Sequence, residues 1–223
     1  MAGKLSATIS KKLSSTLTIE IVSFKILIEA YNLALSQKEF SLDWDEEQIS
    51  QYLVDVMKKS ELRVKHQLVI GLERKLNDSL QLPLGVNHPK RLPRIDINIV
   101  SWSFSKDIEQ EYFFEAKNLC ENNWIKKNGS KVSSSYYQKR YIDTGIENFR
   151  KGRYFDGSII AYVLQGNTTN IISKINNRLY KDTNTIENIQ ILKLIPIFQD
   201  IYKSIHVTPL GDNLDIKHIF LKF

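Results

Sequence analysis

The sequence predicts an α/β domain: a mixed central sheet flanked by helices, preceded by a helical extension and followed by further strands. Three observations predict it. Segments with apolar residues at three- and four-residue spacing alternate with short strand-like runs. One of these runs, "GSIIAYVLQG", is apolar throughout between two glycines, as expected of a strand buried on both faces. Three of the five prolines fall in "QLPLGVNHPKRLP" and mark a loop rather than an element.

Taken in order, Thr18 to Leu35 has helical spacing, with Ile21, Phe24, Ile28, Tyr31 and Leu35 as its apolar stripe. A second helix is announced by Asp43 or Asp45 as cap and by Glu46 and Glu47 in the first turn, and runs to about Lys59. "VKHQLVIGLE" reads as a strand. After the proline loop come two more strands, Arg94 to Trp102 and about Gln110 to Lys117. A polar connection over Asn122 to Ser135 leads into a helix from about Ser135 to Arg150, ended by Gly152. The buried run follows, then a helix over Thr168 to Tyr180, an unassigned stretch around Ile189 to Phe198, and two terminal strands, "IYKSIHVT" and "LDIKHIFLKF".

Composition bounds the function. A chain of 223 residues supports one sizeable core without disulfide staples, and the single cysteine, Cys120, excludes an intramolecular disulfide framework, which points to a reducing, cytoplasmic setting. The apolar segment "TIEIVSFKILIEAYNLAL" is interrupted by Glu20, Lys25 and Glu29, so no membrane span is expected, and no secretory signal is read at the start. The net charge of +6 is concentrated: between Asn122 and Tyr154 eight basic residues face two acidic ones, interleaved with Trp124, Tyr136, Tyr137, Tyr141, Phe149 and Tyr154. That pattern suits a polyanion surface read by phosphate attraction and stacking. The plainer alternative is a solvated helix face whose aromatics point into the core.

The chemistry lies in "PRIDINIVSWSFSKDIEQEYFFEAKNL", where Asp96, Glu115 and Lys117 interrupt apolar strands. Acidic residues are depleted in strands, and their burial without a partner is costly. Glu115 and Lys117 share one strand face by alternation. In an antiparallel hairpin, a turn between Ser105 and Lys106 sets Asp96 across from Glu115; a turn between Lys106 and Asp107 sets it across from Lys117. Either register gathers the three charges. Two adjacent carboxylates repel and so take up a proton or a cation, and a hard divalent ion takes carboxylate oxygens and can also hold a phosphate. A neighbouring ammonium could orient the attacking water or offset charge on the phosphate.

On these residues the chain resembles the PD-(D/E)XK nucleases, which have a restriction-endonuclease-like fold. "RID" stands where that superfamily has its first Asp, "EAK" stands where it has (D/E)-X-K, and the expected element order matches its αβββαβ core over about residues 45–165. Residues 1–44 are then a helical extension and 166–223 a C-terminal helix and strands, all within one nuclease-like domain over 1–223. The resemblance implies a Mg²⁺- or Mn²⁺-dependent nuclease, acting on DNA in preference to RNA, with Asp96 and Glu115 as metal ligands and Lys117 as the catalytic lysine. It also implies a glutamate from the first core helix: Glu47, with Glu46 or Glu73 as alternatives. Gln138, Lys139 and Arg140 on the following helix, with Arg150, Lys151 and Arg153 beyond them, are the expected nucleic-acid contacts. The literal Pro-Asp pair is absent, and Gln138 is followed by Tyr141 rather than by the Gln-X-X-X-Tyr of one subgroup. A role against foreign DNA follows only from the company the superfamily keeps, as does a homodimer or partner protein.

Other readings compete. A second Glu-X-Lys, Glu73-Arg74-Lys75, lacks an Asp-bearing strand just upstream and reads as a solvated charge cluster. The first copy could itself be a cross-strand ion pair worth about 0–1 kcal/mol. The fold could serve as a non-catalytic nucleic-acid-binding or scaffold subunit, or Thr18 to Leu35 could dock a partner. His66, His88, His206, His218 and Cys120 show no zinc spacing, though His206 and His218 would flank one site if the terminal strands pair. Without a phosphate-loop motif an ATPase is not expected. Gly145 reads as a close helix–sheet contact.

Overall fold

The computed structural model describes residues 2–75, 94–103, 109–154, 157–192 and 201–223, the side chains of 2–18, 74 and 75 excepted. The helices are α1 (Ala2–Gln37), α2 (Glu46–Met57), α3 (Glu61–Lys65), α4 (Ser134–Arg140), α5 (Glu147–Arg150) and α6 (Thr168–Leu179). A π-helical turn, Tyr141–Ile146, joins α4 to α5. The strands are β1 (Val69–Lys75), β2 (Arg94–Ser101), β3 (Gln110–Cys120), β4 (Trp124–Ile125), β5 (Lys131–Val132), β6 (Gly157–Gln165), β7 (Thr185–Ile191), β8 (Ile201–Val207) and β9 (Asn213–Lys222). Seven of them form one sheet in the order β1-β2-β3-β6-β9-β8-β7, and β4 with β5 forms a small hairpin. The sheet is mixed: β6 and β9 run parallel, while β1–β2, β7–β8 and β8–β9 are antiparallel. The fold is thus α/β, with a mixed central sheet flanked by helices. No helix among the described residues is long and apolar enough to cross a membrane.

The chain divides into two compact units, one of Met1–Lys38 and Ser50–Phe113, the other of Glu39–Ile49 and Phe114–Phe223. In the first, α1 is helical as expected but buries a different stripe. Ile19, Val22, Ile26, Leu27, Ala30 and Ala34 are buried, whereas Ile21 and Leu35 are exposed. Small residues let a helix approach its neighbours closely, and a reading weighted toward large side chains overlooks Ala30 and Ala34. Phe24 meets the Tyr112 ring edge-on at 5.7 Å, and the Tyr112 hydroxyl donates to Glu20 Oε1 at 2.9 Å in the same core. The sequence reading begins the first strand at Val64, but Val64 and Lys65 close α3, which Ser60 caps by accepting from the Leu62 N–H.

The β1–β2 hairpin keeps one register throughout, Val69 opposite Val100 and Arg74 opposite Ile95. Ile95, Ile97 and Ile99 share its buried face, as the alternation requires. On the other face Gly71 stands opposite Asn98, so close that a Cβ there would lie 2.5 Å from Asn98 Oδ1.

In the second unit α2 begins with a capping box. Gln48 N donates to Asp45 Oδ1 at 2.9 Å and Asp45 N to Gln48 Oε1 at 3.0 Å, which makes Asp45, not Asp43, the cap. β6 is buried at every position but its ends, as its unbroken apolar run predicts. β8 and β9 are the two terminal strands and pair with each other. The stretch left unassigned contributes β7 up to Ile191; residues 193–200 lie outside the described residues, as does the turn at 104–108 that decides between the two hairpin registers.

Candidate active site

Within the second unit three elements converge on Lys117. From β3 comes the lysine itself, with Glu115 two residues earlier on the same strand face; from the first turn of α2 comes Glu46; from the end of α4 comes Arg140. Lys117 Nζ lies 2.5 Å from Glu115 Oε1 and 3.5 Å from Glu46 Oε1, and it donates to the Ala116 carbonyl at 2.7 Å. Arg140 Nη2 reaches the same Glu46 oxygen at 3.4 Å, while Glu46 Oε2 accepts the Asn118 N–H at 3.0 Å. Glu115 and Lys117 are about 95% buried. Buried charges persist only when paired and hydrogen-bonded, and each of these has a charged neighbour within 3.5 Å.

Burial in this region also marks Tyr137, one helical turn before Arg140. Removal from water pushes its phenol above the ordinary range, with smaller contributions from Cys120 and Glu46. The Cys120 thiol is itself pushed up to about 11 by burial, which keeps it protonated and unreactive at neutral pH. Gly145, in the π turn, faces the sheet: a Cβ there would touch Ile159 Cδ1 at 3.6 Å and Lys117 Cγ at 3.8 Å. The helix therefore rests directly on the lysine stem.

The sequence-derived candidates separate as follows. Glu115 and Lys117 meet, and Glu46, the alternative to Glu47, joins them; Glu47 lies on the exposed side of the same helical turn. Asp96 is the third residue of β2, half-buried in the first unit, where the hairpin register puts Glu73 across from it. Glu73 in turn pairs with Arg94 at 3.5 Å. Gln138 is buried. Lys139 lies 3.9 Å from Asp143, and Arg150 grips Glu147 with two bonds of 2.6 and 2.8 Å. Lys151 also approaches Glu147, at 3.3 Å, and Arg153 donates to Asn148 Oδ1 at 3.0 Å. Lys139, Arg150 and Lys151 are thus each paired within their own helical segment, by Asp143 and Glu147. The signal was present in the sequence, since Glu147 precedes Arg150 and Lys151 by three and four residues. Of the interleaved aromatics, Tyr141, Phe149 and Tyr154 point into the core, and Tyr136 stands exposed.

Glu46, Glu115 and the Ala116 carbonyl present oxygen donors to one ammonium, a donor set that in kind fits a hard divalent cation such as Mg²⁺ or Mn²⁺. Among the described residues no group of three or more His, Cys, Asp or Glu is placed to hold a metal ion.

A second polar cluster lies deeper. His206 and His218, on the paired strands β8 and β9, are fully buried and joined through Ser204. Burial pushes His206 down to about 4 and His218 to about 3, the latter with a contribution from His206, so both imidazoles are neutral near pH 7. The two do share one site, and its partners are hydroxyls.

No family model matches the chain, and no curated protein or solved structure matches it either.

Proposed function

We propose that the protein is a metal-dependent nuclease of the PD-(D/E)XK kind, hydrolysing phosphodiester bonds of nucleic acid, DNA in preference to RNA. The observation that carries this reading is an almost wholly buried Lys117 ammonium held between Glu115 and Glu46, with Arg140 on the same Glu46 oxygen. In this reading Glu115 and Glu46 would hold a divalent ion, which would supply polarisation of the phosphate and a more acidic bound water. Lys117 holds its proton at Nζ beside Glu115 and orients the attacking oxygen; Arg140 stabilises the negative charge that develops on the phosphate. Mg²⁺ or Mn²⁺ would be the cofactor, and Lys139, Arg150, Lys151 and Arg153 would meet the nucleic-acid backbone at low salt.

A second reading is favoured by one specific observation: Lys117 is closed into ion pairs, as in a structural cluster. In that case the fold is a nucleic-acid-binding or scaffold subunit without catalysis. The test is cleavage of supercoiled plasmid, linear duplex, single-stranded DNA and RNA with Mg²⁺ or Mn²⁺, comparing the wild type with Asp96→Ala, Glu115→Ala and Lys117→Ala. Metal-dependent cutting lost in all three variants supports the nuclease. Equal binding by wild type and variants, with no substrate cut, overturns it in favour of the subunit.

A further inference from the structure

A single line of hydrogen bonds crosses the core of the second unit. Tyr141 Oη lies 2.7 Å from His218 Nδ1, His218 Nε2 lies 2.7 Å from Ser204 Oγ, and Ser204 Oγ lies 2.7 Å from His206 Nε2. His206 Nδ1 is 3.2 Å from Thr185 Oγ1, which in turn reaches Asp182 Oδ2 at 3.5 Å. Tyr141, His218, Ser204 and His206 are fully buried.

Counting hydrogens fixes the direction of the line. Each neutral imidazole carries one N–H and each hydroxyl one O–H, so a single Ser204 proton cannot serve both histidines. If the donors point toward Tyr141, the tyrosine's own O–H is left in the core without an acceptor; if both histidines donate to Ser204 Oγ, the serine's O–H is left so instead. If all point away from Tyr141, every donor finds an acceptor and the line ends on the Asp182 carboxylate. An unsatisfied buried donor is expensive, so the last order holds. Tyr141 then donates to His218 Nδ1, His218 carries its proton on Nε2, Ser204 donates to His206 Nε2, and His206 carries its proton on Nδ1.

The line begins at a conformationally unusual place. Tyr141 is the first residue of the π turn, and π-helical turns are rare and need support from outside the helix. Immediately before the turn stands Arg140, which reaches Glu46; within it stands Gly145, which rests on the Lys117 stem. We propose that Tyr141 and His218 are positioning residues of the Glu46–Lys117–Glu115–Arg140 cluster: the buried relay pins the π turn, and the turn sets Arg140 against Glu46 and the helix against Lys117. Where the relay touches activity, the inference rests on the nuclease reading; where it touches the side chains of the cluster, it does not.

The test is nuclear magnetic resonance on the full chain. Long-range imidazole spectra of the wild type should show the Nε2–H form for His218 and the Nδ1–H form for His206. In Tyr141→Phe, hydrogen exchange at Lys117 Nζ and Arg140 Nε should quicken about five- to a hundredfold, the range set by leaving one buried hydrogen-bonding group unsatisfied. Tyr154→Phe is the control, since it removes a buried hydroxyl bonded to Asn148 in α5. It should lower stability and leave both exchange rates unmoved. If Tyr141→Phe does not fold, Ser204→Ala, which cuts the relay by losing one oxygen, is read the same way.

Unchanged exchange in Tyr141→Phe, equal acceleration in Tyr154→Phe, or the opposite tautomers would overturn the proposal. If the wild type cleaves nucleic acid, Tyr141→Phe should lower kcat by a similar factor with KM within about twofold, the signature of misplaced groups rather than weakened binding. If the wild type cleaves nothing, the nuclease reading fails, and the exchange rates still decide the positioning role.

Discussion

Acidification should destabilise the second unit well before its carboxylates titrate, because His206 and His218 are buried neutral. An imidazole free in the unfolded chain titrates near 6.5; in the folded protein burial holds His206 at about 4 and His218 at about 3. The unfolded state therefore takes up protons first. The contribution of both residues is fully present above pH 6.5 and is lost as the pH falls toward the folded values. Each histidine adds a slope of up to about 1.4 kcal/mol per pH unit inside that window, so the pair adds up to about 3 kcal/mol per unit between roughly pH 6 and 4. That is large beside a total stability on the order of 5–15 kcal/mol, so unfolding should set in before either imidazole is protonated in the native state. Carboxylates held low in the fold, Glu121 by the Asn167 N–H and Glu147 by Arg150, lose their contribution only below the ordinary carboxylate range. His66, set low chiefly by partial burial and then by Lys65 and Lys25, adds a smaller slope of the same sign. The assay is urea unfolding followed by circular dichroism at half-unit steps from pH 7.5 to 4.5, on the wild type and on His206→Gln/His218→Gln. Stability that stays flat from pH 7 to 5, or a slope that survives in the double variant, would refute the reasoning.

Two further outcomes follow from single contacts. Lys117→Ala removes the ammonium between Glu46 and Glu115 and should cost about 3–5 kcal/mol by urea unfolding at pH 7, whereas Lys117→Met with Glu115→Gln should cost clearly less, since no buried charge is then left facing another. Gly71→Ala puts a methyl group into the buried Asn98 amide and should cost about 1–3 kcal/mol in thermal unfolding, with much of it recovered by adding Asn98→Ser.

What the sequence made legible is what local rules decide. A run of unbroken apolarity located β6, short apolar runs after the proline loop located β2 and β3, and a capping Asp, left open between Asp43 and Asp45, with Glu46 and Glu47 in the first turn announced α2, because each depends on neighbours within a few residues. The stripe of α1 was misplaced because the side chains that decide it, Ala30 and Ala34, are buried for their smallness, a property only a packing partner reveals. The choice between Glu46 and Glu47 shows the same limit at the candidate site. Both are good first-turn residues by the helix dipole, yet one step along a helix turns a side chain by about 100° and decides which carboxylate meets Lys117. The π turn was read as ordinary helix because nothing within "YIDTGI" demands an extra residue per turn. Its anchor is His218, 77 residues away, and that histidine in turn depends on Ser204 and His206 on the neighbouring strand. A histidine scanned by sequence spacing is tested against metal ligation, where its partners must be other ligands. Here the partners are hydroxyls from three elements, and the apolar strands around them are what make a line of single hydrogen bonds among Tyr, His, Ser and Thr worth keeping in the core.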